Sequence, residues 1–289
     1  MRTIKFVLIF SLFLITGSGC RSQTTEHGFS GESAYQYVQA QLDFGARIPG
    51  SSALLATSHY IQNTLTQNTW QVETQDFRFR DVPLSNIIAK KGEGEKIILI
   101  GAHYDTRALA DQESDIHLQS TAVPGANDGA SGSAVLLELS RVLDPPAGTQ
   151  VWLVFFDGED QGHINDWGWS VGSDYFVHQL TEKPTKAVII DMIGDKDLNI
   201  YQEKNSTSTL VTEIWMSAKE LGYEAQLIPE YKYAMIDDHL PFINQGIDTA
   251  LLIDFDYPYW HTTHDTIEHV SPTSLQVIGD VLIHWILTQ

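Results

Sequence analysis

The amino-acid sequence predicts an α/β domain built on a mainly parallel central sheet. Continuous apolar runs of strand length occur at residues 97–100, 151–156, 187–190 and 250–253, the pattern of strands buried on both faces. Segments of helical character separate each run from the next, and that alternation is the mark of parallel strands joined by crossover helices. A chain of 289 residues holds one large single-core domain and leaves no room for a second.

The elements follow in chain order. Residues 1–20 read as a leader: Arg2 and Lys5 precede an apolar run at 6–15, about signal-peptide length and too short for a membrane span. Cys20, the one cysteine, stands where a bacterial lipoprotein is cleaved and lipidated, although Gly17 replaces the aliphatic residue of the usual box. The expectation is an exported protein, either anchored in the cell envelope through Cys20 or released to the periplasm or the exterior with Cys20 lost. In either case the mature chain has no disulfide. Residues 21–30 are polar and read as a tether, so the catalytic domain is expected over 31–289. Helices are expected at 32–42 and 52–66, interrupted by the Pro and Gly of Arg47-Ile48-Pro49-Gly50-Ser51. Strand signals follow at 72–79, which alternates, and at 86–90, which is short. Further helices are expected at 132–142, 172–180, 208–221 and 274–287. There is no internal repeat.

Charge narrows the partners. Acidic residues outnumber basic ones 37 to 17, and the formal charge of −20 argues against binding nucleic acid or anionic membrane, both of which need a basic face.

Open parallel sheets bind ligands beyond the carboxyl ends of their strands. Here those ends carry the chemistry. The first buried run leads into His103 and Asp105, the second into Asp157, Glu159 and Asp160, the third into Asp191, and the last through Asp254 and Asp256 to His261. Histidine and carboxylate without cysteine suits zinc, whose catalytic sites keep three protein ligands and one open position. Asp128, Asp160 and His261 are the expected ligands and Glu159 the expected proton-transfer group, with Asp105 orienting His103. Asp128 has a competing reading as the cap of the helix that begins near Ser131.

Several segments add up to a resemblance: Arg47-Ile48-Pro49-Gly50-Ser51, Gly101-Ala102-His103-Tyr104-Asp105, the glycine-rich stretch 125–132, Phe155-Phe156-Asp157-Gly158-Glu159-Asp160, Asp191-Met192-Ile193-Gly194, Asp237-Asp238-His239 and Trp260-His261-Thr262. From about Glu32 onward the chain resembles the zinc aminopeptidases of metallopeptidase family twenty-eight and the related glutaminyl-peptide cyclotransferases, or glutaminyl cyclases. The resemblance implies a single-domain α/β/α sandwich with a mixed, mainly parallel sheet. It implies substrates that are the amino termini of peptides or proteins. In the aminopeptidase branch, positions matching His103, Asp128, Asp160, Asp191 and His261 hold two zinc ions, with Asp128 bridging and Glu159 as base. In the cyclase branch one zinc is held at Asp128, Asp160 and His261, Glu159 moves protons and Asp191 supports it.

Three features point to the cyclase branch. Asp237 begins a doubled aspartate, and Trp260 directly precedes His261, as in cyclases where that indole lines the pocket. Trp167 or Trp169 is the expected second pocket aromatic, Trp167 being taken first. Two features depart from the pattern: Asp160 stands where many relatives have Glu, and Leu251 stands where animal cyclases carry a histidine. The alternatives are a two-zinc aminopeptidase and a non-catalytic binding lipoprotein on the same scaffold. His117, His264 and His269 read as surface residues.

Overall fold

The computed structural model of the protein describes residues 28–289; the expected leader with Cys20 and residues 21–27 of the expected tether lie outside the described residues. The chain runs α1 (Gly31–Leu42), α2 (Ser52–Gln67), β1 (Gln71–Phe79), β2 (Val82–Gly92), β3 (Lys96–His103), α3 (Ala130–Val142) and β4 (Thr149–Phe156). It continues through α4 (Val171–His178), β5 (Lys186–Asp191), β6 (Ile200–Gln202), α5 (Ser208–Glu220), β7 (Leu227–Tyr231), α6 (His239–Asn244), β8 (Asp248–Ile253) and α7 (Pro272–Leu287).

Six strands form the central sheet in the order β1-β2-β4-β3-β5-β8. The four apolar runs of the sequence are its parallel part: β4, β3, β5 and β8 lie side by side, all pointing the same way. The hairpin β1–β2 joins it antiparallel through β2 and β4, which makes the sheet mixed. Alternate strand residues then separate two cores. Ile98, Ile100 and Ala102 face α1, α2, α3, α5 and α7, whereas Ile97, Leu99 and Val154 face α4 and α6. Layers of helix, sheet and helix are the expected sandwich.

Local chemistry sets the helix starts. The Ser30 and Ser51 hydroxyls accept the backbone N–H of Ser33 and Leu54, capping α1 and α2. Phe29 is buried in the larger core, and its ring lies so close to Gly279 of α7 that any Cβ there would sit 2.2 Å from it. Domain packing therefore begins at Phe29, inside the stretch read as tether.

Several elements differ from expectation. β2 extends well beyond 86–90 because Arg80 and Asp81 adopt positive φ (46° and 66°) and turn the chain back on β1 in a two-residue hairpin. Such turns are usually signalled by Asn-Gly, and this one is not. β6, β7 and α6 span six residues or fewer each and carry no periodicity that a sequence reading can detect.

Candidate active site

The four parallel strands bring their carboxyl ends to one edge, and the expected ligands converge there. His103 closes β3, Asp191 closes β5, and Asp128 sits on the turn before α3. The turn is shaped for approach: Gly129 has φ +92°, and a Cβ on it would meet the Asp105 carbonyl at 2.5 Å. The N-cap of α3 is Gly129, with no side-chain capping bond, so the competing reading of Asp128 as a helix cap falls. Instead its carboxylate faces both histidines, 3.1 Å from His103 Nε2 and 3.6 Å from His261 Nε2. Asp191 approaches His103 Nε2 at 3.1 Å, and Asp160 approaches His261 Nε2 at 2.9 Å.

Two overlapping clusters result. Asp128, Asp160 and His261 form one, and His103, Asp128 and Asp191 the other, each with its ligand atoms within 4.8 Å of one another. Asp128 is common to both. All five are buried. Burial and the neighbouring Asp128 push the Asp160 carboxyl up to about 6 against the pull of His261. Burial raises Asp191 too, although His103 opposes it. Burial opposes protonation of His261, yet Asp160, Asp111 and Asp128 outweigh it and lift the imidazole to about 9. Crowded, desolvated carboxylates of this kind are what a divalent cation offsets. Asp160 Oδ2 has no hydrogen-bond partner although it is buried. Three buried O and N donors from Asp128, Asp160 and His261, without thiolate, fit zinc.

The surrounding residues orient the ligands. Asp105 accepts the N–H of Glu159 at 3.0 Å and lies 3.5 Å from His103 Nδ1, holding the 159–160 turn and the imidazole together. Three further supports escape the sequence reading. Asp265 accepts the N–H groups of Asn127 and Asp128 and the Tyr257 hydroxyl. Asp111 lies 3.5 Å from His261 Nδ1 and is itself clamped by Arg107, which also donates to the carbonyls of Asp160 and Gly162. Arg47, wholly buried, donates to the carbonyls of Tyr104, Pro124 and Gly125 and so fixes the strand end and the Asp128 turn to each other. The arginine of the Arg-Ile-Pro-Gly-Ser segment had a motif as its signal but no deducible partner.

A cavity of about 290 Å³ opens on the first cluster. Asp128, Glu159, Asp160, Asp191, Asp237 and His261 line it on the polar side, and Trp169, Met235, Ile236, Phe255 and Trp260 close it. The Trp260 ring stacks on His261 at 3.8 Å between centroids. Trp167 does not reach the cavity. It packs edge-on against Phe79, and Trp169 occupies the expected position, stacked 5.9 Å from the His261 ring. His163, Asn165, Asp166 and Ser170 all take positive φ, and this irregular backbone decides which indole turns inward. Asp157, Asp254 and Asp256, expected at the same edge, serve elsewhere: Asp157 accepts the N–H of Ser85, Asp254 those of Asn199 and Asp256, and Asp256 pairs with Lys232. Burial pushes the Glu159 carboxyl well up, reinforced by Asp237 and Asp238 and opposed by His103.

Fold and site together define an α/β enzyme of the aminopeptidase-like class with a His/Asp cluster at the strand ends that could hold a metal ion. Residues 86–286 match peptidase family M28, and the chain belongs to that family. It is similar to the Porphyromonas gingivalis glutaminyl cyclase, with 32% identity and a TM-score of 0.84 over 89% of this chain and 97% of that one. It is 25% identical to the glutaminyl-peptide cyclotransferase of Bos taurus over 83% of this chain and 78% of that protein. Aminopeptidase YwaD of Bacillus subtilis (strain 168) is 30% identical over 64% of this chain, and the match spans 39% of that protein.

Proposed function

We propose that the protein is a zinc-dependent glutaminyl-peptide cyclotransferase, converting amino-terminal glutaminyl residues to pyroglutamyl residues with loss of ammonia. The observation that carries this reading is the aromatic enclosure of the metal cluster: Trp260 stacked on His261, with Trp169 and Phe255 beside it, walls a cavity sized for one side chain. Similarity to glutaminyl cyclases over most of both chains supports it.

A cyclase must use the substrate's own α-amine as nucleophile and keep hydrolytic water away. Asp128, Asp160 and His261 would hold one zinc, which when bound supplies Lewis-acid polarisation of the γ-carbonyl. Glu159 would take a proton from the α-ammonium group and return it to the departing ammonia. Ser170 donates to Glu159 Oε1 at 3.3 Å, which orients the carboxylate. Asp191 and Asp237 would share the proton network around it. Trp260, Trp169 and Phe255 would enclose the carboxamide, and because amine and carboxamide belong to one residue, proximity supplies much of the rate.

His103 and Asp191 complete a second cluster on Asp128, and this favours a specific second reading, a two-zinc aminopeptidase. One experiment separates them. Purified protein loaded with zinc is offered glutaminyl peptides and leucyl peptides, with ammonia and free amino acids measured. Ammonia from glutaminyl peptides, none from their amino-acetylated forms, and little leucine release are expected. Leucine release with glutaminyl peptides left open would put the aminopeptidase reading in its place. Envelope attachment through Cys20, with a short polar tether ending before the domain packing that begins at Phe29, belongs to the same proposal, tested by mass spectrometry of the mature amino terminus.

A further inference from the structure

Glu203 is a buried carboxylate that the chemistry above does not use. It follows β6, is 1% exposed, and accepts hydrogen bonds at both oxygens. Oε2 takes the N–H groups of Asn205 (2.9 Å) and Ser206 (2.7 Å) and the Ser206 hydroxyl (2.9 Å), and lies 3.3 Å from His239 Nε2. Oε1 takes the N–H of Met235 at 2.8 Å.

Met235 belongs to the cavity wall formed by Ala234, Met235, Ile236 and Asp237. That wall has no regular secondary structure before Asp237; Ile236 is 67% exposed, and of residues 234–236 only Met235 packs against the smaller core. Hydrogen bonds to the main chain add to that hold. Lys204 N–H donates to the Tyr233 carbonyl at 2.8 Å and the Asn205 side-chain amide to the Met235 carbonyl at 3.0 Å. On the far side, the Ser206 hydroxyl accepts the N–H of Leu251 in β8, a central-sheet strand. His239, directly after Asp237-Asp238, opens α6 and is wholly buried. The carboxylate thus joins a rigid strand, the start of α6 and the wall of the cavity.

We propose that Glu203 is a positioning residue for the substrate pocket: through Met235 and His239 it sets the spacing between the 234–237 wall and Trp260, and so the fit of the first side chain of a peptide. The proposal rests on the reading of this cavity as the pocket for an amino-terminal residue. A carboxylate is needed because every hydrogen bond on it comes from a donor, the N–H groups of Asn205, Ser206 and Met235 and the Ser206 hydroxyl. An amide at this place would turn its own N–H₂ toward either Met235 or the 205–206 turn, leaving donor against donor.

The test uses the zinc-loaded full-length protein and its Glu203→Gln variant. Amide hydrogen exchange over 232–237 should speed up about tenfold or more, and KM for a glutaminyl peptide should rise about tenfold. The kcat should stay within about threefold and zinc content should not change, the pattern of a residue that shapes binding and not chemistry. Asn205→Ala, which removes only the bond to the Met235 carbonyl at the surface, should move both readouts in the same direction by less. It carries the test if Glu203→Gln does not fold. Unchanged exchange over 232–237 in the folded variant, or a fall in kcat with zinc loss and no KM effect, would overturn the proposal. If the parent protein cyclises nothing, the functional reading fails, while the exchange measurement still decides whether Glu203 holds the wall.

Discussion

Replacing Arg47 with methionine should damage both the fold and the metal site, although the residue touches no expected ligand. Its guanidinium is wholly buried and donates to three carbonyls, those of Tyr104, Pro124 and Gly125. Tyr104 lies between His103 and Asp105, and Gly125 begins the turn that carries Asp128. Methionine fills much of the volume but satisfies none of the carbonyls: those of Tyr104 and Pro124 are left unpaired, each worth about 1–3 kcal/mol in the interior, and that of Gly125 keeps only the N–H of Ala130 at 3.3 Å. Removal of the guanidinium desolvation recovers part of that, and a net loss of about 3–5 kcal/mol is expected. At roughly 2–4 °C per kcal/mol for a domain of this size, Tm should fall by about 6–20 °C. Calorimetry on the zinc-loaded and chelated protein reads this directly. A competition titration should show zinc binding weakened about tenfold or more, because the Asp128 turn loses its anchor. Arg47→Lys should not rescue either property, since one ammonium cannot span three carbonyls held in a fork. A methionine variant with Tm within about 2 °C of the parent and unchanged zinc affinity would refute the argument that Arg47 ties strand to turn.

Asp111→Asn should weaken zinc binding about 10–100-fold by loosening His261, with kcat of the fully loaded enzyme nearly kept; chelator competition checks it, and equal affinities would rule out an orienting role. Glu159→Gln should retain zinc while turnover falls by roughly 10²–10⁴, and an active variant would mean that another group moves the protons. Trp169→Ala should raise KM for glutaminyl peptides, whereas Trp167→Ala, which removes a ring packed on Phe79, should leave KM unchanged; the opposite pattern would reverse the placement of the two indoles. Burial pushes the Glu203 carboxyl up, but His239 and the N–H groups of Asn205 and Met235 outweigh it and bring it down to about 2. Its folded value lies below the ordinary value of 4.5, so its contribution to stability is full above about 4.5 and is lost as pH falls toward 2. Denaturant melts across that window should show a shallower acid decline in Glu203→Gln than in the parent, and parallel declines would exclude the linkage.

Much of the architecture was legible along the chain because the four parallel strands are buried on both faces, and such burial writes unbroken apolar runs. The cluster was legible for a related reason: His103, Asp191 and the 159–160 pair follow directly on those runs, so finding the strands places the ligands at one edge. The antiparallel hairpin was harder to bound, since Arg80 and Asp81 make its turn without the glycine that usually marks it. Trp167 and Trp169 lie two residues apart on an irregular loop, and nothing in their order says which ring turns toward His261.

By itself, then, the sequence determined the α/β class and the placing of histidines and carboxylates at the strand ends, because these follow from local patterns of burial and from residue chemistry. Only the tertiary structure decided what supports them. Asp265 reaches Asp128 across 137 positions, and Arg47 reaches Gly125 across 78. Asp111 meets His261, and Glu203 meets Met235, only after the sheet has brought their loops together. A buried hydrogen bond depends on where two distant segments are held and leaves no periodicity in either of them, so the groups that aim the ligands stay invisible until the chain is folded.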